Sequence, residues 1–220
     1  MHGSAGKNSD GGNAPRGVGD NGPVPRIIGG SLSEHREETR RRLFAALARL
    51  MEQRGFDAVT LAEIAQEAGI GRTAVYNHVP DKESLLIEYI AHETQGWLAE
   101  LEAQLAGVSD PVGRLRVYVQ HQLRMRRTFH MPADLRSTVS PTTQARLREH
   151  AAPVEGALRQ ILTDGMASGA FVTQPLDVAT GLVHACLTSR VAVGAGKRGT
   201  DPAAATEAFV LRAVGASAGA

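Results

Sequence analysis

Residues Thr60 to Leu86 read TLAEIAQEAGIGRTAVYNHVPDKESLL, and the placing of their apolar and turn residues decides the fold. Thr60 is a good helix N-cap, and Glu63 three residues on completes a capping box that satisfies otherwise orphaned amide donors. A helix is therefore predicted from Leu61. Leu61, Ile64, Ala65 and Ala68 fall on one apolar stripe at helical spacing, with Ala65 small where a second helix must cross closely. Gly69 supplies the left-handed conformation that a helix end needs, so the chain reverses through Gly69-Ile70-Gly71 with Ile70 as a buried plug. The next helix is predicted from Gly71 or Arg72 to His78. Thr73 or Ala74 and Val75 are its buried positions, which leaves Arg72, Tyr76, Asn77 and His78 as a polar and aromatic surface. Such groups reach phosphates and base edges, and the whole segment reads as a helix-turn-helix.

Working outward toward the N-terminus, Leu43, Phe44, Leu47, Leu50 and Met51 repeat at three and four, which predicts a first helix from about Leu32 to Gly55. Arg40, Arg41 and Arg42 near its start oppose the helix dipole, and Glu34, Glu37 and Glu38 compensate. Residues 1–33 are rich in Gly, Asn, Asp and Pro and cannot bury enough apolar surface to offset ordering entropy, so they are expected to form a disordered arm. A minor-groove arm is the alternative, with Lys7, Arg16 and Arg26 set against Asp10 and Asp20.

On the C-terminal side, Pro80 ends the second helix of the motif. Asp81 caps a long helix with Leu86, Ile90, Trp97, Leu101 and Leu105 along one face. Further helices are predicted from Pro111 to about Phe129, around Ala133 to Val139, from Pro141 to Ser168 with Pro153 as a break or kink, from Asp177 to about Ala195 and from Pro202 to about Ala216. No alternating stretch argues for a sheet, and the short run Ala170 to Thr173 reads as a turn after Gly169. The expectation is all-α, with a helix-turn-helix DNA-binding unit over 34–80 and a larger helical unit over 81–220.

The segment resembles the N-terminal domain of the TetR/AcrR transcriptional regulators. That family's helix-two threonine, Ile-Ala pair, Ala-Gly turn, Tyr-x-His and Lys-Glu-x-Leu-Leu recur here in order as Thr60, Ile64-Ala65, Ala68-Gly69, Tyr76-Asn77-His78 and Lys82-Glu83-Ser84-Leu85-Leu86. Gly71 stands where the family often has serine, and Val79 where it usually has phenylalanine. The resemblance implies a homodimer built from the last two helices. It also implies a ligand-binding and dimerisation domain behind the reading head, and a repressor that leaves an inverted-repeat operator when a small-molecule effector binds. In detail it covers roughly residues 34–90.

Candidate DNA contacts follow. Arg72, in the first turn of the inserted helix, suits guanine's major-groove edge or a phosphate. Tyr76, His78 and Lys82 resemble the family's phosphate contacts, with Thr60 offering its hydroxyl and amide at a helix start. Thr73, Ala74 and Asn77 are placed for base contact, and Arg41 represents the arginine run at the backbone. Between Glu34 and Ile90, eight bases face ten acids, a net −2, against +1 for the whole chain. Bulk attraction for DNA is therefore weak, and a few placed bases on two copies of the module must supply the grip.

Candidate ligand residues are Trp97, Tyr118, His121, Arg124, Met125, Phe129, Met166 and His184, for which plain core is the competing reading. From Pro111 to Gln160 the bases exceed the acids by six, which fits either a solvated basic face or a pocket for an anion. His184 and Cys186 lie two apart on a helix and point to different faces, so no metal site or other cofactor is expected. With one cysteine no intramolecular disulfide is possible. The lack of a signal-like N-terminus or a long apolar run predicts a cytoplasmic protein that does not enter a membrane. A helical-bundle enzyme would need a nucleophile and base, a metal cluster or a phosphate loop, and none is present. An interaction adaptor that has lost DNA binding is the other alternative.

Overall fold

Helix α1 covers Gly29–Arg54 in the computed structural model, which describes residues 29–128, 135–188 and 201–216. It begins within the stretch expected to be a free arm, while residues 1–28 of that arm lie outside the described residues. Its buried apolar positions are Leu43, Phe44, Ala46, Leu47, Leu50 and Met51, and Gly55, at φ 76°, ends it. Helix α2, Leu61–Glu67, starts on the expected capping box. The Glu63 amide donates to the Thr60 hydroxyl at 3.3 Å, and the Thr60 amide donates to the Glu63 carboxylate at 2.8 Å.

The turn after α2 is a Schellman motif, in which two amides past the helix reach back to its last carbonyls. Gly69 N donates to Gln66 O at 3.0 Å and Ile70 N to Ala65 O at 2.8 Å, with Gly69 at φ 66°. Ile70 is only partly buried, packed at the edge of the core rather than plugged into it. The segment that follows departs from expectation. In place of an α-helix from 71 or 72 to 78, the chain makes a 3-10 turn over Ala74–Asn77, and Val75 is its only buried residue; Thr73 and Ala74 are exposed. Gly71, the β-branched Thr73, Val75 and Val79, and Pro80 all disfavour α-helix, and so short a segment has no room to offset the cost of nucleation.

Helix α3, Lys82–Leu105, is capped by Asp81, whose carboxylate accepts from Ser84 N at 2.7 Å. Then come α4 (Pro111–Thr128), α5 (Leu135–Thr138), α6 (Pro141–Ala167), α7 (Leu176–Thr188) and α8 (Pro202–Ala213). Among the described residues there is no strand. The prolines at 111, 141 and 202 each open a helix, where a missing N–H costs nothing. Pro153 neither breaks nor ends α6; it sits inside the helix on an exposed face, where water can satisfy the carbonyl it leaves free.

Two cores share α3. Its first half, Leu85 to Ile90, packs with α1, α2 and Val75. Its second half contributes Trp97 and Leu101 to a core with Leu115, Tyr118, Leu158, Leu162 and Val183. The first core also takes Leu135, Val139 and Leu147 from α5 and the start of α6, so it reaches well beyond residue 80.

Candidate DNA interface and effector cavity

The reading surface is held rigid from behind. The Arg42 guanidinium donates to the carbonyls of Ala68 and of Gly69, the latter at 3.2 Å, and so closes the C-terminus of α2. The Lys82 ammonium donates to Phe56 O, Asp57 O and Val59 O at 3.1, 3.2 and 2.9 Å, and lies 4.7 Å above the Phe56 ring. An ammonium has three protons, so all are used. Lys82, expected at a phosphate, ties the α1–α2 loop to the start of α3 in this structure. Arg40 pairs with Glu88 at 2.9 Å, Arg41 with Glu38 at 3.0 Å, Arg49 with Glu67 at 3.3 Å and Arg54 with Glu63 at 3.0 Å.

Arg72, Thr73, Ala74, Tyr76 and Asn77 are exposed and His78 is half-buried. Tyr76 leaves 56 % of its surface open, far more than a phenol ring needs for its hydroxyl to meet water. None of these side chains makes a hydrogen bond or ion pair among the described residues. Thr60 is exposed at the start of α2, its hydroxyl donating to the Glu63 carboxylate at 2.8 Å. A groove of about 480 Å³ runs past Asn77 and His78 to Arg36 and Arg40 of α1. Arg36 was not singled out by its sequence, because nothing in one helix's periodicity shows which of four nearby arginines will stay unpaired.

The link between reading head and second core was also hidden. Glu83, in the first turn of α3, accepts from the hydroxyl of Ser140 at 2.6 Å, the amide of Ser140 at 3.1 Å and the hydroxyl of Thr143 at 2.5 Å. Those bonds, the Ser140 hydroxyl first, hold its carboxyl below the usual carboxylate range. The only sequence trace is Ser140-Pro141 as a helix start.

Behind the head, a cavity of about 400 Å³ opens between α3 and α4. His92, Glu93, Gly96, Trp97 and Glu100 line it from α3, and His121, Arg124 and Met125 from α4. It thus unites four of the residues expected at a ligand. Trp97 meets Tyr118 edge-on at 5.8 Å and His121 at 5.1 Å. His121 Nε2 lies 3.1 Å from Trp97 O, and its Nδ1 faces the Gln104 amide nitrogen at 3.4 Å and Arg124 Nη2 at 3.2 Å. Two donors at Nδ1 and a carbonyl at Nε2 put the ring proton on Nε2. Tyr118 lies beneath, its hydroxyl donating to Val154 O at 3.3 Å and its pKa pushed up to about 12 by burial. Met166 packs against the second core, His184 is exposed on α7, neither lines the cavity, and Phe129 lies outside the described residues.

On the outer side, Val178, Leu182 and Phe209 are more than half exposed on α7 and α8. Ala179 and Val183 fall on the opposite side of α7 and are buried in the core of their own chain. Among the described residues no group of three or more His, Cys, Asp or Glu is arranged to hold a metal ion, and no helix is long and apolar enough to cross a membrane.

A capped helix, a glycine turn and an exposed polar segment set on a three-helix core define a helix-turn-helix DNA-binding domain. Residues 43–89 match the tetR family of bacterial regulatory proteins. It is 37 % identical over 89 residues to the HTH-type transcriptional regulator AcrR of Shigella flexneri, a match covering 40 % of this chain and 41 % of that protein. The match thus spans about two fifths of that relative's length. The fold extends further. The TetR-family regulator PfmR of Thermus thermophilus superposes with a TM-score of 0.64 at 22 % identity, over 79 % of this chain and 97 % of its own. The regulator FadR of Bacillus subtilis, solved with stearoyl-CoA, does so with a TM-score of 0.69 at 15 % identity, over 80 % and 98 %. These relatives are transcriptional regulators.

Proposed function

We propose that this chain is a dimeric, ligand-responsive transcriptional repressor of the cytoplasm, which holds an inverted-repeat operator and leaves it when a small molecule occupies the cavity between α3 and α4. The observation that carries the reading is the set Arg72, Tyr76, Asn77 and His78, open to solvent and unpartnered on a tetR-family helix-turn-helix. In this reading Arg72 forks onto a guanine edge, Thr73, Ala74 and Asn77 touch neighbouring bases, and Tyr76, His78, Thr60 and Arg41 bind phosphates. The exposed apolar residues of α7 and α8 pair two copies, which sets the spacing of the half-sites. Helix α3 borders both the head and the cavity, so a ligand that favours one setting of α3 shifts the two heads relative to each other. The FadR neighbour with its stearoyl-CoA supports a ligand site in this fold, not the nature of the ligand here.

Selection of bound sequences from random duplex DNA by the purified chain tests this, run beside Arg72→Ala. The expected result is an inverted repeat in which the variant loses preference at one position per half, a discrimination of about 1–3 kcal/mol. One observation favours an interaction adaptor instead: most of the head's cations are already paired internally. Failure to enrich any sequence, with cell extract present or absent, would make the adaptor the better reading.

A further inference from the structure

The charge around the cavity names its occupant. Glu93, Trp97 and Glu100 recur on α3 at intervals of four and three, and so share one face. Both carboxylates line the cavity, and neither makes a hydrogen bond or ion pair among the described residues. The one guanidinium opposite, Arg124, already donates to Gln104 Oε1 at 2.8 Å and faces His121 Nδ1. Trp97, on the same wall, is 96 % buried, and its indole N–H has no acceptor among the described residues. Between the acids, Gly96 sits in the helix interior, where glycine is unfavourable, although a Cβ there would meet nothing within 4 Å. Close packing therefore does not explain this glycine, and its effect is to keep the floor of the cavity open.

We infer that the cavity binds a small organic cation, a protonated amine or quaternary ammonium on an apolar body, with its charge between Glu93 and Glu100 and its body against Trp97 and Met125. This deepens the effector reading above and rests on it. An anion would meet two unpaired carboxylates, whereas a cation gains both of them. Burial pushes the Glu93 carboxyl up, only partly offset by His92, so a cation at this point relieves a charge that the protein itself leaves uncompensated.

Trp97 is the only tryptophan, so its emission reports on the cavity alone. The full chain is titrated with benzyltrimethylammonium and phenethylamine, and with the uncharged 2-phenylethanol and the anion 3-phenylpropionate. Release of the selected operator is followed as a second readout. The expected result is a saturable emission change with the cations at affinities at least tenfold tighter than with the other two. Glu93→Gln should remove that preference. Gly96→Leu, which extends into open space from a helix that tolerates it, should abolish binding with the melting temperature kept. Equal or tighter binding of the neutral or anionic probe, cation affinity unchanged by Glu93→Gln, wild-type binding by Gly96→Leu, or no saturable change with either cation would each overturn the inference. The effector reading survives any of these if the anion, or small molecules from cell extract, still release the operator, and falls with it if nothing does.

Discussion

Glu83 shows how much one side chain can connect. Its carboxylate accepts three hydrogen bonds from Ser140 and Thr143, and these favour the ionised form. A carboxyl whose pKa is lowered on folding adds stability at and above the ordinary carboxylate range. That contribution is lost as pH falls below this range and through the lowered value. Melting curves of wild type and Glu83→Gln should therefore differ by a constant amount near neutral pH and converge as the pH is lowered toward 3. Parallel curves over the whole range would show that the bonds hold as well with a neutral amide. Lys82 and Arg42 make a related point. Both are cations in a DNA-binding head, yet their protons go to backbone carbonyls, and sequence alone cannot tell a cation that caps a loop from one that waits for a phosphate. Arg72 was legible for the opposite reason: it follows directly on a glycine turn, where no nearby acid competes for it.

At the scale of elements, the parts written in local chemistry were readable. The capping box at Thr60, the Schellman turn at Gly69, the Asp81 cap and the prolines that open α4, α6 and α8 need only neighbours in sequence. What could not be read was set by distant partners or by the balance of weak preferences: the 3-10 form of Ala74–Asn77 and the side of α7 that turns inward. Gly69 tests the turn itself. At φ 66° an added Cβ is strained, and it would stand within 2.6 Å of Arg42 Nη2. Gly69→Ala should cost about 1–2 kcal/mol in chemical denaturation, and should weaken operator binding beyond that loss because the recognition segment is displaced. A neutral outcome would mean that the turn relaxes freely.

For the molecule as a whole, the pairing of cations sets how it meets DNA. Arg40, Arg41, Arg49 and Arg54 lie in ion pairs and Arg42 and Lys82 on carbonyls, which leaves Arg36 and Arg72 without partners among the described residues of the head. If these and Arg41, released from Glu38, meet phosphates or bases, a dimer displaces about six counterions, and the slope of log K against log salt is about −5.4. Binding isotherms on the selected operator between about 50 and 200 mM salt measure this. A slope near about −8 would show that the other ion pairs open on contact as well. Affinity would then come largely from attraction between charges rather than from the contacts of Tyr76, Asn77 and backbone amides.

The seating of Leu135, Val139 and Leu147 in the first core has a consequence for anyone wishing to exchange specificities between regulators of this kind. A fragment cut after Pro80, or after α3, leaves behind three of the side chains that close the head's own interior. The transplantable unit is not a continuous stretch of chain: to graft this head onto a foreign sensor, α5 and the opening turns of α6 must travel with it, Ser140 and Thr143 included.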